Sequence, residues 1–206
     1  MSNTSTRVAY RLIRPPGWVH IVLDESADAT GRVLAERIAF AAPQANRVQA
    51  RHFFDSMVGE AIVEARANGG QDLYLPTEPV DGIPLSMSII VAVSPPQAGT
   101  GSPSEALLAF SANDPTAKAS TIDNQLAVRR YVDVAAKLDG DGKIEQPASR
   151  QITYLTTPPD DERVMLITSS ILRLDVPDGD TLLEAMEFLF DAMVGTVRFG
   201  SGRESS

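Results

Sequence analysis

Histidines are the side chains that most readily move protons near neutral pH, and the 206-residue chain has two of them. His20 lies in an apolar, β-branched segment, whereas His52 precedes Asp55 by three residues in a segment whose apolar residues recur at helical spacing. That spacing places His52 and Asp55 on one helical face, where they could form an acid–base pair or bind a metal ion. A surface histidine beside an acid is the more common arrangement. We therefore predict that neither histidine is catalytic or binds a metal.

Segment 139–145 (DGDGKIE) has the alternating acidic residues and glycines of a calcium-binding loop. An EF-hand loop needs oxygen ligands at positions 1, 3, 5 and 12 and glycine at position 6. Counted from Asp139, the fifth, sixth and twelfth positions are Lys143, Ile144 and Arg150. We therefore predict a plain hairpin turn here, because aspartate and glycine favour the turns that join antiparallel strands.

Segment 99–104 (GTGSPS) resembles a glycine-rich phosphate-binding loop in composition. Ser104 replaces the third glycine, and Pro103 lacks the N–H group that a phosphate cradle would donate. The sequence also has no Gly-x-Ser-x-Gly motif, and both histidines precede residue 60, whereas the histidine of a hydrolase triad of that type follows its serine. These patterns predict no cofactor and no enzymatic activity.

Trp18 is the single tryptophan and directly follows Pro15-Pro16-Gly17, a turn-forming segment. A tryptophan at this place can be a core anchor or an exposed contact for a partner. The core is favoured, because large aromatic side chains dominate the buried area of small domains. If a partner surface includes this strand, Trp18 and His20 are the residues predicted to contribute to it.

The composition argues against some classes of binding partner and against some cellular locations. The formal net charge is −9 and the sequence pI is near 4.7, which argues against binding nucleic acid or an anionic membrane surface. The absence of cysteine excludes disulfides, thiolate nucleophiles and cysteine-based metal sites. No apolar run approaches the roughly 20 residues that span a bilayer, and no signal peptide is recognisable. We therefore expect a cytoplasmic protein without membrane insertion.

Helical periodicity predicts a short first helix over 30–42 and a longer second helix over 48–67. A short helix is also predicted over 105–110, and a final helix begins after Asp178 or Asp180, either of which could cap it. The apolar face of the final helix is predicted to contain Leu183, Met186, Phe190, Met193 and Val194.

Strands fill most of the remaining chain. They are predicted within 8–23 (a pair of strands separated by a turn), 72–76, 83–93, 126–138, 151–157 and 164–174. The last two are predicted to be antiparallel neighbours, because a turn-forming segment separates them. Strands in runs, with helices mainly near the start and at the end, predict an α+β fold: a mainly antiparallel sheet with packed helices.

The length is that of one domain. We predict a single α+β domain over 7–199 with disordered tails over 1–6 and 200–206, since both tails are small and polar. The Pro/Gly/Ser-rich segment 94–104 is predicted to be an internal hinge or a long connection.

The start PPGW at 15–18, the strands within 151–174 and the ending FDAMVGTVRF at 190–199 resemble the Mog1/PsbP-like α/β/α sandwich group. The same order of elements resembles uncharacterised actinobacterial proteins of about this length. The resemblance implies a sandwich fold and a non-enzymatic binding or assembly role.

These observations predict a non-enzymatic accessory or assembly factor whose partner is another protein, with its oligomeric state left open. One alternative is a small-ligand-binding domain that uses the space between sheet and helices. A second alternative, raised by the actinobacterial resemblance, is an accessory or immunity protein of a specialised secretion system. A third alternative is an enzyme with an unfamiliar site, which would require His20 or His52 to approach an Asp or Glu side chain in a cleft.

Overall fold

The computed structural model describes residues 7–40, 44–79, 85–94, 102–142, 144–159 and 161–200. The helices of this part of the chain are α1 (Ala27–Phe40), a short 3-10 turn (Gln44–Asn46), α2 (Arg47–Ala67), α3 (Pro103–Asn113) and α4 (Gly179–Gly195). The strands are β1 (Tyr10–Arg11), β2 (Trp18–Val22), β3 (Gly70–Pro76), β4 (Met87–Ser94), β5 (Lys118–Ile122), β6 (Gln125–Val134), β7 (Lys137–Leu138), β8 (Ile144–Gln146), β9 (Ser149–Thr156), β10 (Val164–Leu172) and β11 (Arg198–Phe199).

A seven-stranded sheet forms the centre of the molecule, in the order β2-β3-β4-β10-β9-β6-β5, and every neighbouring pair is antiparallel. The α+β prediction is therefore confirmed. The predicted pairing of the last two long strands is confirmed as well, because Ile167 of β10 lies opposite Tyr154 of β9.

Helices pack on both faces of this sheet, because successive residues of a strand point in opposite directions. On one face α4 buries its apolar side against the middle strands, and the ring of Phe190 meets Tyr154 edge to face at 5.8 Å between centroids. On the other face, Ile21 and Leu73 of the sheet pack against Leu34 of α1 and Val58 of α2. All five residues predicted for the apolar face of the final helix are buried.

The helices α1 and α2 form an antiparallel hairpin between β2 and β3. The start of α1 is fixed by Asp24, whose side chain accepts hydrogen bonds from the backbone N–H (2.8 Å) and hydroxyl (2.6 Å) of Ser26. The helices approach closely at Gly31, where an added Cβ would lie 2.7 Å from Cδ1 of Ile62. Ion pairs join the two helices near their ends, between Glu36 and Arg51 (2.6 Å) and between Asp28 and Arg66 (2.8 Å).

The two strands predicted within 8–23 are present as β1 and β2, but they do not pair with each other. Tyr10 of β1 lies opposite Phe199 of β11, whereas β2 pairs with β3. The side chains of Tyr10 and Leu12 pack against the core on the α4 face of the sheet, so the N-terminal segment crosses that face instead of running beside β2. The partner of β1 is therefore set by burial and comes from the other end of the chain.

Smaller differences concern element boundaries. The first helix begins at Ala27. Helix α3 extends beyond the predicted 105–110, because Ser102 caps its start. The Ser102 hydroxyl accepts a hydrogen bond from the N–H of Glu105 (3.3 Å), and the Glu105 carboxylate accepts one from the N–H of Ser102 (2.8 Å). Strand β5 was not predicted, because its sequence KASTI is short and half polar. The hairpin turn after Leu138 is confirmed by the pairing of β7 with β8.

The predicted tails 1–6 and 201–206 lie outside the described residues, as do 95–101 of the predicted hinge. The N–H of Gly200 donates to the carbonyl of Ala9 at 2.9 Å, so the β1–β11 ribbon extends to this residue. Within the described ranges, the helices are too short or too polar to cross a membrane.

Candidate functional site

A buried carboxylate on β3, that of Asp72, is the centre of a polar cluster at one side of the sheet. Its side chain is 1% exposed, and three donors surround it. The guanidinium of Arg7 and Nε2 of His20 contact Oδ1, the histidine at 2.6 Å, and the hydroxyl of Tyr10 donates to Oδ2 at 2.9 Å. Residues from the N-terminal segment, β2 and β3 therefore meet at one carboxylate.

Two aromatic contacts complete the cluster. The rings of His20 and Tyr74 are stacked, with centroids 4.6 Å apart and planes 9° from parallel. The sheet register explains the stack, since His20 lies directly opposite Tyr74 on the neighbouring strand. The hydroxyls of Tyr74 and Tyr10 lie 2.9 Å apart and share a hydrogen bond.

The surroundings fix the charge of each group. Burial raises the pKa of the Asp72 carboxyl, but hydrogen bonds from His20, Arg7 and Tyr10 more than offset this effect, so its pKa lies below the usual value. Burial, together with the nearby Tyr74 and Asp72, raises the pKa of Tyr10 far above its usual value, and burial raises the pKa of Tyr74. At neutral pH the cluster therefore contains an ionised carboxylate and two neutral phenols.

This geometry favours a positioning role for the cluster. A histidine oriented by an aspartate can act as a general base when a nucleophile or substrate lies at its other nitrogen. In the described part of the chain, the hydrogen bond of His20 goes to Asp72, and no serine or threonine hydroxyl contacts its ring. Asp72 instead connects the N-terminal segment to β2 and β3, so we expect it to stabilise that side of the sheet.

The structure places the two predicted contact residues next to this cluster. Trp18 is 7% exposed and belongs to the core on the α4 face, so the core alternative is confirmed for its side chain. The side chain of His20 is 31% exposed. A partner contact at these two residues stays a prediction. The sequence analysis missed Asp72, although its signal was present: it is the one charged residue in the strand GQDLYLP.

The other candidates for chemistry are dispersed. His52 and Asp55 are both exposed on α2. Among the described residues, no three His, Asp or Glu side chains come close enough together to hold a metal ion. In the β7–β8 turn, the N–H of Asp141 donates to the carboxylate of Asp139 at 2.9 Å, and Gly142 has a φ of 78°, the left-handed conformation that glycine favours. Of the glycine-rich segment 99–104, the first three residues lie outside the described ranges.

A second polar network joins α4 to the sheet. The guanidinium of Arg129 contacts Asp191 at 2.9 Å, and that of Arg150 contacts Glu187 at 2.6 Å. The hydroxyl of Tyr154 donates to the same Asp191 at 3.0 Å. Each charge has an opposite partner on a neighbouring element, so this network orients α4 on the sheet.

A shallow groove runs along the outer surface of the α1–α2 hairpin, with a volume of about 190 Å³. Gly31 and Gly59 leave space in the two helices, and charged side chains form the rim. The lining residues are Asp28, Gly31, Arg32, Asp55, Gly59 and Ile62.

Comparison with known proteins adds no assignment: no family model matches the chain, and no curated protein matches it. The resemblance to the Mog1/PsbP-like group therefore stays a prediction, and the argument for function depends on the structure.

Proposed function

We propose that this protein is a non-enzymatic accessory factor that binds another protein through the outer surface of the α1–α2 hairpin. The partner element would be a helix that presents an uncharged, apolar side chain to the groove between α1 and α2. This mode of recognition, a helix laid in a groove, is common among protein complexes.

Gly59 is the observation that carries the proposal. A glycine inside a helix costs about 0.5–1 kcal/mol relative to alanine, so it needs a reason. Gly31 has one within the chain, because an added Cβ would collide with Ile62. Around Gly59, by contrast, no described atom lies within 4 Å of an added Cβ apart from its chain neighbours and the adjacent backbone of its own helix. Space is therefore kept at Gly59 on the open side of the helix, where a side chain from outside can enter.

An apolar side chain beside Gly59 supports the same conclusion. Val63 lies one turn beyond Gly59 on the same face of α2 and is 64% exposed. Val63 could therefore provide an apolar contact for the partner helix.

The charge of the hairpin fits an uncharged partner surface. The two helices together carry five acidic side chains and five arginines, so they are neutral in a chain of net charge −9. A surface without net charge neither attracts nor repels a partner through long-range electrostatics, which suits a partner surface that is itself uncharged.

A small-molecule site is the alternative that the groove supports less well. Pockets for small ligands typically enclose about 300–1,000 Å³ and bury most of the ligand. The groove holds about 190 Å³ and is partly open to solvent. It is large enough for one inserted side chain but not for an enclosed metabolite.

Affinity capture with a matched pair of variants tests the proposal. Gly59→Leu fills the groove without meeting a described atom at its Cβ, and Ala112→Leu adds the same side chain at an exposed position of α3. We expect the wild type and Ala112→Leu to retain one protein in equimolar amount from the native host, and Gly59→Leu to lose it at least tenfold. Recovery of no stoichiometric partner, or equal recovery with all three proteins, would refute the proposal. Thermal unfolding of each variant shows whether a loss reflects the groove or the fold.

A further inference from the structure

The ribbon of β1 and β11 places two arginines directly opposite each other. Arg11 and Arg198 are partners in its antiparallel register, next to the inward-facing pair of Tyr10 and Phe199. Because side chains alternate along a strand, Arg11 and Arg198 share the outward face. Like charges opposite each other on a sheet surface repel and destabilise the pairing. The ribbon therefore keeps an unfavourable charge pair at its surface.

The two arginines differ in how far neighbouring groups bind their guanidinium. The Arg198 guanidinium is held in place, since its Nη1 donates to the carbonyls of Gly195 (3.1 Å) and Val197 (2.6 Å), while Nε lies 3.7 Å from Asp123. Arg11 is exposed, and within the described ranges no carboxylate comes within ion-pair distance of it. Asp123 therefore neutralises part of the charge of Arg198 only, and the guanidinium of Arg11 is available to an anion.

An apolar side chain lies next to Arg11 on the same side of the chain. Ile13 follows Arg11 by two residues, and its side chain is 56% exposed. By the same alternation Arg14 lies on the opposite side, where its guanidinium donates to the carbonyl of Trp18 at 3.4 Å. No acidic residue occurs in the sequence over 8–23.

We propose that the outward face of the β1–β11 ribbon, formed by Arg11 and Arg198 with the neighbouring Ile13, binds a short acidic segment of a partner protein. The planar fork of a guanidinium matches a carboxylate in two parallel hydrogen bonds, so an acidic side chain can bind at Arg11. The exposed Ile13 provides an apolar contact beside the cations, which favours a peptide over an inorganic anion. A nucleic acid is disfavoured, because a chain of net charge −9 repels a long polyanion. This site lies apart from the α1–α2 groove and is tested independently of it.

The test uses a fluorescein-labelled peptide, Glu-Leu-Glu-Glu-Leu-Glu, titrated with the full-length protein at low salt and followed by fluorescence anisotropy. The control peptide carries glutamine in place of each glutamate. Arg11→Glu is compared with Lys118→Glu, which makes the same change of charge at an exposed position of β5. We expect the wild type to bind the acidic peptide, Arg11→Glu to weaken binding at least about tenfold, and Lys118→Glu to change it less than about twofold. Gly59→Leu should bind the peptide as the wild type does.

The melting temperature shows whether a variant has lost binding alone or has also lost its structure. Glutamate at position 11 would lie opposite Arg198 and replace repulsion by attraction, so the melting temperature of Arg11→Glu should be equal to or a few degrees above that of the wild type. Three results would overturn the proposal: no binding of the acidic peptide by the wild type, equal weakening by Arg11→Glu and Lys118→Glu, or equal binding of the glutamine peptide. Tighter binding of a single-stranded oligonucleotide than of the peptide would assign the surface to nucleic acid and also overturn it.

Discussion

Replacing Asp72 by asparagine should destabilise the fold more than any surface charge substitution. The change preserves the shape of the side chain but removes the charge that Arg7, His20 and Tyr10 contact. Removing one member of a buried ion pair costs about 3–5 kcal/mol. The side chain of Arg7 is 43% exposed, and water can solvate it after the substitution. We therefore expect a loss of about 2–4 kcal/mol in the free energy of unfolding at neutral pH.

Urea unfolding at pH 7 measures this loss, and a thermal scan should show a fall in melting temperature of roughly 6–12 °C for a chain of this size. Asp133→Asn is the matched control. Asp133 also accepts two hydrogen bonds from an arginine, Arg150, at 2.7 and 2.8 Å, but its side chain is 42% exposed. Its replacement should cost less than about 1 kcal/mol. Equal losses for the two variants would refute the conclusion that burial makes the Asp72 cluster important.

The pH dependence gives a second measure of the same cluster. The pKa of Asp72 is lowered in the folded state from an ordinary value of 3.8, although burial acts in the opposite direction. Its contribution to stability is thus present above about pH 4 and is lost as the pH falls through the lower folded-state pKa. The difference in stability between wild type and Asp72→Asn should therefore be largest near neutral pH and decrease in acid. A difference that stays constant from pH 7 to about pH 3 would contradict this assignment.

Four further substitutions test the packing. Gly59→Ala should raise the free energy of unfolding by about 0.5–1 kcal/mol, whereas Gly31→Ala should lower it by about 1 kcal/mol, because the added methyl group meets the buried Ile62. Urea unfolding measures both, and changes of the same sign would contradict the contacts described for the α1–α2 hairpin. Phe190→Ala should cost about 3–5 kcal/mol, since the ring is fully buried, while Phe188→Ala, at 76% exposure, should change stability little. Equal effects of the two phenylalanine substitutions would show that α4 does not pack as described.

The sequence determined the class of fold and most of its elements. Local patterns were sufficient for this, because the apolar residues of α2 and α4 recur at helical spacing and β9 and β10 flank a short turn. The turn after Leu138 was predictable for the same reason, since aspartate and glycine encode it locally. Strand β5 was not predicted, because apolar and polar residues alternate too weakly in its five residues. Its position in the sheet is set by pairing with β6.

Tertiary structure alone decided which distant residues meet. The pairing of β1 with β11 depends on the burial of Tyr10 and Phe199 against the same core, and no local pattern encodes it. That pairing in turn brings Arg11 to Arg198, and the crossing of the N-terminal segment brings Arg7 to Asp72 across 65 positions of sequence. Periodicity and turn chemistry are properties of a few consecutive residues, so the sequence by itself determined which helices, strands and turns form. The candidate sites lie where elements distant in sequence pack together, because the buried and charged side chains of one element find their partners on another.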